Sequence, residues 1–393
     1  MLNGCNRWLG AGLAQVKKGQ QMKIDQIEVS GFKSVADLQL LGLEPFSVFA
    51  GPNGSGKSNL MDALSFVSAV VESGAVKALR QFRGFPQVHS YKLRRRNART
   101  FGFSIRATLD GQALVYTLKV HDMDTAPVLD ETLAVNGKKI LERKKGSDPQ
   151  ISSPNSEAPI VIEKFPPDMS GLLFTQGEFP LYDYLTNVEV FRFDPLGAKE
   201  PDGSSADTTA LHPNGHNVAT MLATLEKDDD FRTQVMEWMS LLVPGMEQVR
   251  AEPDRLSGGT VIKFKEEGTK AHFPANLISD GTIYALCIMT AVLSRAKRHG
   301  ITLIEEPERG LHPKGIEALV DLMRQNANIE HPVFVTTHSE SLVRASKVTE
   351  LWLVNKLDGK TVAKNAAQSS AAMDGLNLDT AWLMNMFDGG LPW

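Results

Sequence analysis

The stretch Gly51-Pro-Asn-Gly-Ser-Gly-Lys-Ser58 has the residue types and the spacing that hold the phosphates of a nucleotide. Gly51, Gly54 and Gly56 let the backbone turn tightly, so that successive N–H groups of the loop, including those around Asn53 and Ser55, converge on a β-phosphate. The positive end of a helix opening at Lys57 adds to that field, with Asn59 in its first turn. The Lys57 ammonium would bridge the β- and γ-phosphates, and the Ser58 hydroxyl would ligate Mg²⁺. ATP with Mg²⁺ is therefore the expected ligand pair.

A second cluster, Ile301-Thr-Leu-Ile-Glu-Glu-Pro-Glu-Arg-Gly-Leu-His-Pro313, ends a short apolar run in carboxylates. If that run is a strand beside the loop strand, its acids stand at the carboxyl edge of a sheet, where the loop would place its metal. Glu305 would hold a metal-bound water. Glu306 would orient the attacking water and take its proton as general base, while Glu308 fits an acidic loop. A third run, Val333-Phe-Val-Thr-Thr-His-Ser339, brings His338 to the same edge, within reach of a γ-phosphate.

Two serine-glycine segments compete for one remaining part. Leu256-Ser-Gly-Gly-Thr260 is followed by strand-like alternation through Lys265 and reads as a hairpin turn. Leu277-Ile-Ser-Asp-Gly-Thr282 opens a strong helical pattern through Ala285, Leu286, Met289 and Leu293, and that single helix leads directly into the acidic strand. Ser279 and Gly281 at its amino end form an anion site. In an architecture where such a site cannot reach the loop of its own chain, it would cap the nucleotide of a partner copy, and a homodimer would follow.

The elements that must position these residues are legible in outline. Phe46–Ala50 is an apolar run before the loop. After it, Leu60, Ala63, Leu64, Val67 and Val71 recur at helical spacing. Ile24, Ile27, Val29 and the stretch 32–35 suggest short strands feeding the loop strand. Phe101, Phe103, Ile105, Ala107 and Leu109 alternate, Asp110-Gly111 turns, and Ala113, Val115 and Thr117 alternate again, which is a hairpin. The polar stretches 145–159 and 198–216 are expected as exposed loops and seams. Helices at 278–298 and 314–327 alternate with short apolar runs at 301–304 and 333–336, the wording of an α/β layer. The expected divisions are 1–21, a weakly ordered extension with Met22 as an alternative start, then 22–200, 201–275 and 276–393.

Composition narrows the class. With 393 residues, 42% of them hydrophobic, the chain can bury one large core or two smaller ones. A net charge of −4 argues against wholesale electrostatic binding of nucleic acid, so DNA would have to meet a local patch. Lys92, Arg94, Arg95, Arg96 and Arg99 offer one. Two cysteines, Cys5 and Cys287, support neither a disulfide framework nor a zinc site, which fits a reducing cytoplasm. No apolar run approaches the roughly 18 residues of a membrane span, so no membrane partner is expected.

Taken in order, Ser30-Gly-Phe-Lys-Ser34, Gly51 to Asn59, Ser279-Asp-Gly-Thr282, Ile304-Glu-Glu-Pro-Glu308, Leu311-His-Pro313 and Thr337-His-Ser339 resemble the ATPase heads related to the SMC and RecF proteins. The likeness is greatest to the stand-alone ATPases of that group, relatives of the overcoming-lysogenization-defect nucleases, and covers about 22–393. It implies a P-loop fold of the ABC/SMC-head type: α/β, a mixed central sheet with flanking helices, and an antiparallel β subdomain. It implies a catalytic role for Glu306, a switch role for His338, and action of Ser279 across a dimer. It also implies work in DNA repair or bacteriophage defence, alongside a separately encoded effector. Glu305 stands where most ABC proteins have Asp, and none of Gln81, Gln87 and Gln176 has the context of the glutamine that senses Mg²⁺. The stretch between Lys57 and Ser279 lacks the sustained heptads of an SMC rod, and the residues after His338 are too few for an appended nuclease. An ATPase subunit of a membrane transporter and a non-hydrolysing ATP-sensing scaffold share the same nucleotide chemistry.

Overall fold

The structure is a computed structural model that describes residues 20–93, 99–123, 126–152, 158–203, 207–254, 258–296, 298–369 and 375–391. Contacts group the chain along other lines than its composition does. One compact unit holds residues up to Leu43, Asp62–Val188 and Asp358–Lys360; the other holds Glu44–Met61, Glu189–Leu357 and Thr361 onward. The loop, the acidic strand and the histidine strand therefore share the second unit, although they lie hundreds of residues apart in sequence.

The first unit is built on an eight-stranded sheet with an antiparallel core. Its opening strand, Met22–Phe32, is one continuous element of 11 residues, not short strands feeding the loop strand, and it pairs with Val35–Leu41 and Thr100–Leu109. The Thr100–Leu109 and Gln112–His121 hairpin turns through Asp110 (φ 48°) and Gly111 (φ 80°), the left-handed pair that a two-residue turn between twisted strands requires. Phe32, Phe66, Phe82 and Phe101 pack edge-on and tilted, with ring centroids 5.0 to 6.2 Å apart.

The second unit holds a six-stranded sheet in the order Val188–Phe191, Ile301–Glu305, Val333–Thr337, Phe46–Ala50, Leu351–Leu357 and Lys360–Asn365. The four inner strands run parallel, with Glu305 opposite Thr336 and Thr337 opposite Ala50. Phe46–Ala50 and Val333–Thr337 are buried at every position, as parallel strands covered on both faces must be. Helix Asp280–Arg295 is buried along nearly its whole length, and helix Pro313–Asn326 buries Ile316, Leu319, Val320, Leu322 and Met323. A separate hairpin, Met246–Pro253 with Thr260–Glu266, closes Pro253 opposite Thr260, as the alternation from Thr260 to Lys265 suggests; Ser257 itself lies outside the described residues.

Most of the described residues of 198–216 are exposed, as their polarity leads one to expect, yet the stretch is tied to its neighbours by side-chain hydrogen bonds. Asp202 is buried and accepts from Thr220 N at 2.6 Å, while the Asn217 carboxamide donates to Asp207 O and Ala210 O and accepts from His212 N. These bonds satisfy the backbone groups that water would otherwise serve.

The amino end of the acidic strand is fixed by a buried polar chain. His331 donates from Nδ1 to Arg298 O (2.6 Å), its Nε2 accepts from Thr302 Oγ1 (2.7 Å), and that oxygen accepts from Arg295 Nε (3.0 Å). The arrangement needs neutral histidine, and burial, with Arg295 beside it, pulls the His331 pKa from 6.5 to about 4. Between those values the unfolded chain binds a proton that the folded one refuses, so stability falls as pH drops through the window, by about 3 kcal/mol in all. Urea unfolding between pH 7 and pH 4.5 should show this slope, and His331→Gln should flatten it.

Candidate nucleotide-binding and catalytic site

Parallel register puts three chain segments at one edge of the second unit's sheet. The loop leaves Ala50, the two glutamates follow Ile304, and His338 follows Thr337. Gly51 donates to Thr337 O at 3.3 Å, and a Cβ on it would stand 2.1 Å from Val354 O, so only glycine fits that crossing. Gly54 and Gly56 have φ of 80° and 102°. Asn53 and Gly54 are exposed at the loop tip; Ser55 is buried, and its carbonyl accepts from Thr361 Oγ1 at 3.0 Å. The helix then runs from Lys57 to Ser73 with Asn59 in its first turn.

Lys57 is buried, with Nζ donating to Gly51 O (2.7 Å) and Pro52 O (3.0 Å). Burial lowers its pKa, and the charges of Glu306, Glu308 and Glu305 oppose that shift. A buried lysine that feels the charge of three carboxylates and is folded onto its own loop is suited to meet the anionic oxygens of a phosphate. Ser58 Oγ lies 3.2 Å from Glu305 Oε2, so the two expected metal-side oxygens meet across the sheet edge. Hard neutral and anionic oxygens at this spacing, beside a buried and unpartnered Ser55 Oγ, fit Mg²⁺ with a phosphate.

Glu306 adopts φ 49°, a left-handed backbone that a non-glycine residue holds only when its surroundings enforce it. Tyr284 is one such constraint. It is buried in the helix behind Ser279, and its hydroxyl reaches Glu305 O at 2.9 Å and Glu306 O at 3.1 Å. Glu306 N also donates to Thr336 O at 2.9 Å. The carboxylate that results stands with Oε1 3.3 Å from His338 Nδ1, both side chains about half exposed. With Glu308, Arg309 and Ser339 they line an open cleft of about 480 Å³. Glu308 is not a solvated loop acid. It is buried, accepts from Thr337 Oγ1 at 2.6 Å, and has its pKa raised by burial.

Ser279 is the N-cap of helix Asp280–Arg295, accepting from Thr282 N at 3.1 Å, and it is exposed. Gly281 packs so closely that a Cβ would stand 2.1 Å from Gly310 O. Lys199 bonds Ile278 O at 2.8 Å and the Asp280 carboxylate, bringing a cation to the same helix end.

Sequence reasoning missed Arg192, whose Nη2 donates to Glu305 Oε1 at 2.7 Å. It also missed Tyr284 and Lys199. Arg192 and Lys199 reach the site from far along the chain, and Tyr284 lies within the apolar stripe of its helix, so none carries a local signal. Gln81, Gln87 and Gln176 belong to the first unit, and Gln176 bonds Asp183 at 3.1 Å. Of the basic stretch, Arg94, Arg95 and Arg96 lie outside the described residues; Lys92 is exposed, and Arg99 is paired with Asp122 at 3.1 Å.

Residues 46–344 match the family model described as "AAA domain, putative AbiEii toxin, Type IV TA system". The chain belongs to that AAA family. Its sequence is also 57% identical to structural maintenance of chromosomes protein 1 of Arabidopsis thaliana over 49 residues, which are 12% of this chain and 4% of that protein. The chromosome partition protein Smc of Methanocaldococcus jannaschii is 39% identical over 69 residues, 18% of this chain and 6% of that one. The chain thus spans only a small fraction of the length of these relatives. Over most of its length this AAA protein superposes on an SMC head bound to the C-winged helix domain of ScpA, with TM-score 0.55, 16% identity and coverage of 87% of this chain and 97% of that one. An SMC head with an extended coiled coil, bound to the C-terminal domain of ScpA from Pyrococcus furiosus, gives 0.52 at 14% identity, covering 92% and 98%. The AAA chain therefore has the P-loop ATPase fold in its SMC-head form. Among the described residues no helix is long and apolar enough to cross a membrane.

Proposed function

We propose that this chain is a Mg²⁺-dependent ATPase switch, in which two copies close on two ATP molecules and hydrolysis reopens them. The observation that carries it is the joint placement of Ser58 Oγ 3.2 Å from Glu305 and Glu306 3.3 Å from His338, beside Lys57. Mg²⁺, when bound, would neutralise charge on the transferred phosphoryl group.

The chain's own residues supply the rest. Loop N–H groups and Lys57 hold the phosphates; Ser58 and Glu305 hold the metal; Glu306 orients the water, and takes its proton as the oxygen–phosphorus bond to the ADP leaving group breaks. His338 holds the Glu306 carboxylate in place and offers a hydrogen bond to the γ-phosphate. Ser279 and the N–H groups of its helix, with Lys199 close by, cap the γ-phosphate held by the second copy. A homodimer follows because each site is completed by the other chain.

Closure acts on a separately encoded effector or on DNA, in bacteriophage defence or DNA repair. The effector reading is favoured by solved SMC heads that carry ScpA domains and by the pairing of Arg99 with Asp122, which occupies one cation of the basic stretch. Lys57→Ala should remove ATP binding altogether, at least 10²-fold in affinity by titration with a fluorescent analogue, because nothing else among the loop side chains brings a positive charge to the phosphates. Undiminished binding would overturn the loop's role.

A further inference from the structure

Glu305 is one methylene longer than the aspartate expected at its place, so its carboxylate has one more torsion to fix before it can hold a metal. Its two oxygens are divided between two partners. Oε2 meets Ser58 Oγ at 3.2 Å, and Oε1 accepts from Arg192 Nη2 at 2.7 Å. Arg192 directly follows strand Val188–Phe191, the neighbour of Ile301–Glu305 in the sheet, and its own N–H is tied to Pro213 O at 2.8 Å. Tyr284 fixes the backbone of Glu305 through its carbonyl. Backbone and side chain are thus pinned separately.

We propose that Arg192 is a positioning residue for the metal site: by holding Oε1 it keeps Oε2 directed toward Ser58, so that the two oxygens are already paired when Mg²⁺ arrives. The proposal rests on the Mg²⁺-dependent reading above. Two physical effects of opposite sign are at stake. A guanidinium near a dication repels it, so charge alone predicts tighter metal binding when Arg192 is removed. Orientation predicts weaker binding, and groups that orient metal ligands typically contribute about 10- to 100-fold in affinity. Because Arg192 bonds Oε1 while Ser58 meets Oε2, the guanidinium takes the oxygen that the metal-side pairing does not use, and the proposal is that orientation outweighs the repulsion.

The test is Mn²⁺ binding by electron paramagnetic resonance to the full chain saturated with a non-hydrolysable ATP analogue. Arg192→Gln should weaken Mn²⁺ by about tenfold or more, and Arg192→Lys should recover part of the loss. Metal-free affinity for the analogue and the melting temperature should stay at wild-type values, which a general structural defect would not allow. Equal or tighter Mn²⁺ binding by Arg192→Gln overturns the proposal while leaving the ATPase reading intact. A wild-type chain that holds the analogue but no Mn²⁺ overturns both.

Discussion

Glu306→Gln is expected to bind ATP as tightly as the parent chain and to release phosphate roughly 10²-fold more slowly or worse. The substitution keeps size and the left-handed backbone (φ 49°), so the turn held by Tyr284 and Thr336 is preserved. What it removes is the carboxylate that faces His338 at 3.3 Å and would accept the water's proton. An amide there still accepts a hydrogen bond but cannot take that proton. Single-turnover phosphate release, with nucleotide affinity measured on the same preparations, separates the two effects. Equal turnover by the two proteins would falsify the assignment of Glu306 as base, and the non-hydrolysing ATP-sensing scaffold would then be the better account.

The slowed variant also exposes the second large effect. Locked with ATP, Glu306→Gln should double in mass by light scattering, and adding Ser279→Arg should return it to a monomer. Ser279 is exposed at the start of a buried helix, where its small side chain caps Thr282 N and would leave room at the helix end for an incoming anion. An arginine would fill that space with its own bulk. Losing the cap alone costs about 1 kcal/mol, too little to abolish a nucleotide-sealed dimer, and Ser279→Thr, which keeps the cap, should still dimerise. Ser257→Arg, in the Ser-Gly-Gly segment beside a hairpin, should dimerise normally. An unchanged mass in the Ser279→Arg protein removes the composite site.

Sequence made the frame of the candidate site readable because each of its segments is a local pattern: an apolar run, then polar residues with special backbone demands. Gly51 to Ser58, Glu305-Glu306 and His338 all follow that rule, and parallel register then sets them side by side. Arg192 was illegible for the opposite reason. A single arginine after a short strand is ordinary, and its meaning comes only from Glu305, far along the chain. Tyr284 was hidden in the apolar stripe of its helix, where a tyrosine looks like any other core residue. The 198–216 stretch is largely exposed, as its polarity predicts, but polarity alone does not single out Asp202, which is buried and accepts from Thr220 N. The eight-stranded sheet is visible in the sequence only as one hairpin and the short strands around 24–35, since strand length and order depend on partners that alternation does not name.

Gly281 and Gly310 meet so closely that both positions are closed to most other residues. A methyl group at 281 would need the turn beyond Glu306 to retreat, since the Gly310 carbonyl already stands 2.1 Å from where that methyl would sit. Gly310 itself holds φ 76°, so it cannot easily take a side chain in exchange. The two glycines are therefore held for different reasons: a side chain at 281 would meet a backbone carbonyl that every residue at 310 carries, and one at 310 would have to adopt a left-handed backbone. Variation among descendants of this chain should run around the pair, in the polar surface of its helices and in its hairpin turns, and leave this one contact between backbone and backbone as it is.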